Sequence, residues 1–383
     1  MSKKYYKLTK ILIPIETASG ERRVSATPGA VKKLKSLGCE VFVESSAGEL
    51  SGFNDTLYKE SGGEIVSESN TNIWGEADII FCVQIPSEAN LGNLKKGAIL
   101  LGLLDPYANE KLKKTIINKK ISALSMELLP RISRAQSSDV LSSQANIAGY
   151  KAVLLAASEL DRYFPMLMTA AGTVQPAKVV VLGGGVAGLQ AVATAKRLGA
   201  IVFVSDIRPA VKEQVESLGA RFIELPEIDE KPGESGGYAK AVTPEFLAKQ
   251  KATLTKYLSE ADVAICTAQV LGKRAPVLID SPMLEKMRSG AVVIDLAVSQ
   301  GGNCEGTKSN ETIFRNGVKL IGAGELPSSV PYDASSLYAK NLTSLITPFI
   351  KDGVIKLDKE DELISGCLLS DEGVILQNKV FEN

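Results

Sequence analysis

Val179-Val-Val-Leu-Gly183-Gly-Gly185-Val-Ala-Gly188 decides the reading of this 383-residue chain. An apolar run ends in G-x-G-x-x-G, and an Ala-rich stretch of helical character follows. A strand, a tight turn and a helix in that order use each glycine differently. Gly183 permits the turn, Gly185 lets the backbone approach a pyrophosphate, and Gly188 lets helix and strand pack closely. Unpaired amides and the positive dipole end at such a helix start favour phosphate. A glycine turn between strand and helix can also be purely structural. Here the next apolar run, Ile201–Ser205, leads to Asp206, 18 residues past the last glycine, near the ~20 expected of an acid that binds an adenosine ribose. A carboxylate there repels a 2′-phosphate, so NAD(H) is expected over NADP(H), with Arg208 two residues on as the opposing charge. The expected cofactor contacts are Gly183, Gly185, Val186, Ala187 and Gly188 in the turn, and Asp206, Ile207 and Arg208 after the second strand.

Outward from this unit, Lys178–Leu182, Ile201–Ser205, Arg221–Glu224, Val263–Thr267, Val292–Leu296 and Lys319–Ile321 read as strands separated by helix-sized segments. Toward the N-terminus, Ile11–Ile15, Cys39–Glu44, Ile79–Ile85 and Ala98–Leu104 repeat the pattern, with a helix over Pro28–Leu37 ended by Gly38. The expected fold class is α/β, two Rossmann-like doubly wound parallel-sheet domains joined by long helices. One helix is predicted over Ser138–Leu160, leading out of the first domain. The other, Asp333–Lys351, follows a Pro-rich junction at Leu326–Tyr332 and leads back. Residues 1–137 with 333–383 are expected to form one domain, and 138–332 the nucleotide-binding one. Between Leu225 and Lys240 lies a polar loop longer than a typical connection.

Composition narrows the function. With 45% hydrophobic and 23% charged residues, the chain is a folded one. Its 44 basic and 44 acidic residues balance, and no long basic run offers a footprint for nucleic acid or an anionic membrane. No apolar run of spanning length and no signal peptide appear, so a soluble cytoplasmic chain is expected. The five cysteines are scattered without C-x-x-C spacing, which points to reduced thiols and no metal. There is no histidine.

Gly20-Glu-Arg-Arg-Val-Ser-Ala-Thr-Pro28, Arg131-Ile-Ser-Arg-Ala-Gln-Ser-Ser-Asp139, Ser142-Ser-Gln-Ala-Asn-Ile-Ala-Gly-Tyr150 and Ala170-Ala-Gly-Thr173 resemble the NAD(H)-binding component of proton-translocating transhydrogenase. So do Arg208-Pro-Ala-Val-Lys-Glu-Gln-Val-Glu-Ser-Leu-Gly219, Gly236-Gly-Tyr-Ala-Lys240 and Asp295-Leu-Ala-Val298, a likeness running from about residue 11 to 370. Alanine dehydrogenases share the fold and the R-V-x-x-T-P stretch, and the first domain is expected to be alanine-dehydrogenase-like. Their chemistry, as the family is known, relies on a histidine and a lysine. This chain has no histidine, and Val83-Gln84-Ile85-Pro86 stands where those relatives look like V-K-x-K-E-P. Proton transfer from an amine needs a group of suitable pKa within reach, whereas hydride transfer between two nicotinamides needs positioning alone.

The resemblance implies that Arg131, Gln136, Asp139 and Ser142 contact the nicotinamide, its ribose and its phosphate, with Asp139 orienting Arg131 or the ring amide. Read from the residues alone, Ser137, Ser138 or Asp139 would be ordinary caps of the following helix. The Gly236–Lys240 loop resembles the family's loop that folds over bound nucleotide, with Gly236 and Gly237 supplying hinge freedom and Tyr238 a flat face to cover the adenosine half, so that Gly237 and Tyr238 are expected at the cofactor; a plain solvated loop is the alternative. Ala268 and Gln269 stand where relatives read T-A-L-I-P-G and are expected near the adenine. Arg23 matches an arginine that binds substrate carboxylate in alanine dehydrogenase, but is equally suited to a structural ion pair. The resemblance further implies NADP(H) on a separate partner domain, a membrane-spanning subunit that moves protons, a homodimer, and a place peripheral to the inner membrane. A free-standing alanine dehydrogenase-like enzyme and a non-catalytic NAD(H)-binding module are the competing readings.

Overall fold

The computed structural model describes residues 7–67, 69–107, 109–225 and 244–382. They divide into two compact units, Met1–Ala145 with Pro327–Asn383, and Asn146–Leu326. The division falls inside the helix Val140–Glu159, whose start replaces the expected Ser138 because Ser133–Ser138 is a separate 3-10 turn.

In the first unit six parallel strands, β1 (Lys10–Ile13), β2 (Glu40–Glu44), β3 (Glu64–Val66), β4 (Ile79–Phe81), β5 (Ile99–Gly102) and β6 (Ser122–Ser125), lie in the order β3-β2-β1-β4-β5-β6. That is the doubly wound order, with its switch point between β1 and β4. Residues alternate between the two faces, so Ile11 and Ile13 join one core and Leu12 the other. β4 stops at Phe81 rather than Ile85. Beyond it the Val83 and Gln84 amides donate to the Glu16 carboxylate instead of a neighbouring strand.

The second unit repeats the plan with β7 (Lys178–Leu182), β8 (Ile201–Ser205), β9 (Arg221–Phe222), β10 (Val263–Cys266), β11 (Val292–Asp295), β12 (Thr312–Arg315) and β13 (Val318–Gly322). Their order is β9-β8-β7-β10-β11-β13-β12, all parallel except the edge strand β12. Every residue of β10 and β11 is buried, as a sheet covered on both faces requires. The helix Val186–Arg197 covers one face through Ala191, Val192 and Ala195, and Lys196 and Arg197 suit its dipole at the other end.

The chain then returns to the first unit through the helix Pro331–Ile346, which begins with proline at its first turn. It ends short of the expected Lys351. Pro348 cannot supply the next helical N–H, and a 3-10 turn over Thr347–Phe349 follows. The last strands, β14 (Leu368–Asp371) and β15 (Val374–Ile375), extend the first sheet antiparallel beyond β6. All five cysteines are buried and unpaired. Among the described residues no helix is long and apolar enough to cross a membrane.

Candidate functional site

In the second unit the glycine turn divides by function. Gly183 has φ +104°, and a Cβ there would stand 2.6 Å from the Thr267 hydroxyl. At Gly188 a Cβ would stand 1.9 Å from the Gly183 carbonyl oxygen. These two glycines are demanded by the fold. Gly185 is different, because a Cβ there meets nothing within 4 Å. It is the N-cap of Val186–Arg197 and no side chain caps that helix. The first-turn amides of Val186, Ala187 and Gly188 therefore have no acceptor within the helix, and the space beside Gly185 is open, which fits a pyrophosphate.

Asp206 follows β8 and turns its carboxylate onto the turn, accepting from the Gly184 amide at 2.7 Å. Arg208 folds back over the same group. Its backbone N–H reaches Oδ1 at 2.8 Å, Nε reaches Oδ1 at 2.9 Å and Nη2 reaches Oδ2 at 2.9 Å. Burial pushes the acid's pKa up, but the bonds from Arg208 and Gly184 outweigh it and hold the carboxyl below its ordinary value. The expected carboxylate is thus clamped in an ion pair by Arg208, the opposing charge two residues on, and Ile207 beside it is 87% exposed.

Thr267, after β10, donates its hydroxyl hydrogen toward the Leu182 and Gly183 carbonyls at 3.2 and 3.0 Å. Ala268 is held at both its N–H (3.0 Å) and its C=O (2.9 Å) by the amide of buried Asn303. The Gln269 side chain donates to Leu296 O at 2.6 Å. Fully buried Asp295 fixes this arrangement by accepting from the amides of Ala297, Asn303 and Cys304 and from Thr307 Oγ1. Sequence reasoning missed Asn303 and Thr267. A polar Gly301-Gly-Asn-Cys304 run just past a strand was the available signal.

In the first unit, Asp139 caps the helix Val140–Glu159. Its Oδ1 accepts from the Ser142 amide at 2.9 Å and its Oδ2 from the Ser142 hydroxyl at 2.6 Å. Asp139 and Ser142 are together, and Asp139 does not orient Arg131. Arg131 and Gln136 are exposed, and among the described residues neither side chain makes a hydrogen bond. The neighbouring Arg134 pairs with Asp361 at 2.8 Å. Gly237 and Tyr238 lie outside the described residues.

Arg23 belongs to a buried polar group at the first unit's switch point. Its Nε and Nη2 donate to Glu21 at 2.8 and 2.6 Å and its Nη1 to Gln144 at 2.9 Å. Gln84 and Ser328 also donate to Glu21. Burial alone would raise the Glu21 carboxyl, yet Arg23 and these donors bring it down to about 2. Of the two readings of Arg23, the structure shows the ion pair.

Two family models match the chain, "Alanine dehydrogenase/PNT, N-terminal domain" over residues 12–148 and "Alanine dehydrogenase/PNT, C-terminal domain" over residues 152–378. The first segment of the divided NAD(P) transhydrogenase alpha subunit of Rhodospirillum rubrum is 47% identical over 377 residues, covering 96% of this chain and 97% of the relative. Among solved structures, the transhydrogenase from Sinorhizobium meliloti superposes with a TM-score of 0.86 at 41% identity, over 96% of this chain and all of that one. An L-alanine dehydrogenase gives 0.80 at 26% identity, over 98% of each.

Proposed function

The chain belongs to the alanine dehydrogenase/PNT family, among its NAD(P) transhydrogenase alpha subunits, and from that premise we propose that it binds NADH and presents it for hydride transfer to NADP⁺ on a partner component. The observation that carries the proposal is the open, uncapped helix start at Gly185 in a chain without histidine. The amides of Val186 and Ala187 receive the pyrophosphate, with Asp206 and Arg208 at the adenosine ribose. Ala268 and Gln269 serve the adenine, and Gly237 and Tyr238 cover the adenosine half. Arg131, Gln136, Asp139 and Ser142 act on the nicotinamide end. The Arg131 guanidinium offers hydrogen-bond donors only and the Gln136 amide offers both donors and an acceptor, so these two side chains orient the ring by hydrogen bonding.

Such a site works by alignment. Two C4 atoms brought to ~3–3.5 Å in a dry contact exchange hydride with no proton to move at the reacting carbons. An amino-acid dehydrogenase would need a base, and the buried polar group at Arg23 has its guanidinium on Glu21 with Gln84 alongside. On this proposal the chain works as a homodimer, on the cytoplasmic side, peripheral to the inner membrane through a membrane-spanning partner that translocates protons. Mixing the chain with an NADP⁺-loaded NADP(H)-binding transhydrogenase component tests it. NADH should be oxidised in the mixture, and NAD⁺ should not be reduced by L-alanine with the chain alone. Alanine-dependent reduction of NAD⁺ without the partner would overturn the proposal.

A further inference from the structure

The Gln136 side chain makes no hydrogen bond among the described residues, so its direction is set by the backbone of its turn, where the Gln136 carbonyl accepts from the Asp139 amide at 3.4 Å. That backbone is pinned from a distance. Asn341, on the buried side of the helix Pro331–Ile346 and 8% exposed, uses both ends of its amide around the Asp139 cap. Its Nδ2 donates to the Ser137 carbonyl at 2.8 Å, and its Oδ1 accepts from the Ser143 hydroxyl at 2.7 Å. A carbonyl oxygen can only accept, so the amide has one orientation that serves both contacts. Ser137 lies at the end of the 3-10 turn Ser133–Ser138, where carbonyls lack partners within the turn, and Ser143 lies in the first turn of the next helix. The bridge therefore spans the junction that holds Gln136, Asp139 and Ser142, and a shift of the turn would break one arm.

The helix carrying Asn341 is itself fixed in the first unit. Tyr338 donates to Cys82 O at 2.8 Å, Ser335 Oγ accepts from the Val24 amide at 2.9 Å, and Ala334 O accepts from Gln144 at 3.1 Å. Asn341 thus transmits the position of a buried helix to an exposed turn. We propose that Asn341 is a positioning residue for hydride transfer, holding the Ser137–Ser143 junction so that Gln136 and Ser142 are correctly presented. This inference rests on the nicotinamide role proposed above for that segment.

The test is a double-mutant cycle in the full chain, measured with the NADP(H)-binding component, beside equilibrium binding of NADH to each variant. In Asn341→Ala the transfer rate at saturating NADH should fall about tenfold or more, while NADH affinity stays within about threefold. In a Gln136→Asn background the same change should cost less than about twofold, because the side chain it aims is already misplaced. A residue that only stabilised the helix would give the same loss in both backgrounds, and that result overturns the inference. Should Asn341→Ala fail to fold, Ser143→Ala removes one arm of the bridge and goes through the same cycle. Full rate in the Asn341 or Ser143 variant beside a slow Gln136→Asn overturns this inference alone. Full rate in Gln136→Asn overturns the underlying reading of the segment and this inference with it.

Discussion

A methyl group added at Gly188 would sit 1.9 Å from a backbone oxygen, whereas at Gly185 it would meet nothing within 4 Å. The same substitution should therefore act on different properties. Gly188→Ala forces strand and helix apart, an overpacking cost of about 1–3 kcal/mol, and thermal unfolding should register it as a clearly lowered Tm. Gly185→Ala should unfold at nearly the same temperature as the parent while calorimetry shows at least about a tenfold loss of NADH affinity, because the methyl fills the space meant for pyrophosphate. Equal Tm losses in the two variants would contradict this division. Asp206 makes a second residue-level case. The intact chain should prefer NADH to NADPH by at least about tenfold, ~1.4 kcal/mol. In Asp206→Asn the charge is gone and Arg208 is released toward a 2′-phosphate, so the preference should shrink toward one; a ratio unchanged from the parent would remove Asp206 from the account.

Elements were legible in proportion to how locally their environment is set. β7, β10 and β11 are legible through the buried apolar runs Val179–Leu182, Val263–Cys266 and Val292–Ile294. β6 reads Ser-Ala-Leu-Ser and gave no such signal, although all four residues are buried between β5 and β14. β12 is an exposed antiparallel edge and was equally silent. The glycine turn and Asp206 were readable because their spacing is local; the Arg208 clamp over that acid was not, since the sequence does not say which way the arginine folds. Asn341 belongs to no motif, and its partners lie 198 and 204 residues away. The C-terminal strand makes the element-scale prediction. Ending the chain before Leu368 strips β6 of its neighbour and removes the buried Leu368 and Leu369, each worth about 1.5–3 kcal/mol of burial. The shortened protein should show a markedly lower Tm and associate through the bared edge, measurable by calorimetry and light scattering; a Tm equal to the parent's would mean that β14 is dispensable.

At the scale of the whole molecule, two carboxylates, half-buried Glu16 and buried Glu21, give the stability a pH shape. Burial raises Glu16 to about 8 despite the amides of Val83 and Gln84. Its folded pKa exceeds the unfolded ~4.3, so its contribution is full at low pH and is lost as pH rises through about 8. Glu21, lowered to about 2, acts in the opposite sense: its contribution is present above ~4.3 and is lost as pH falls toward 2. The Tm should therefore decline from about pH 5.5 to about pH 9, and Glu16→Gln should flatten that decline, while lying lower overall because an amide nitrogen cannot accept one of the two backbone bonds. An unchanged slope in the variant would show that Glu16 does not set it. The central claim is that this chain promotes hydride transfer by orienting a nicotinamide. It is tested most directly by Gln136→Asn, which shortens one side chain by a methylene and leaves the glycine turn and Asp206 untouched. With the NADP(H)-binding component present, a displacement of ~1 Å should cost about a hundredfold in transfer rate while NADH affinity changes by only a few fold. Rate and affinity falling together by similar factors would mean that the segment supplies uniform binding, and would contradict the account.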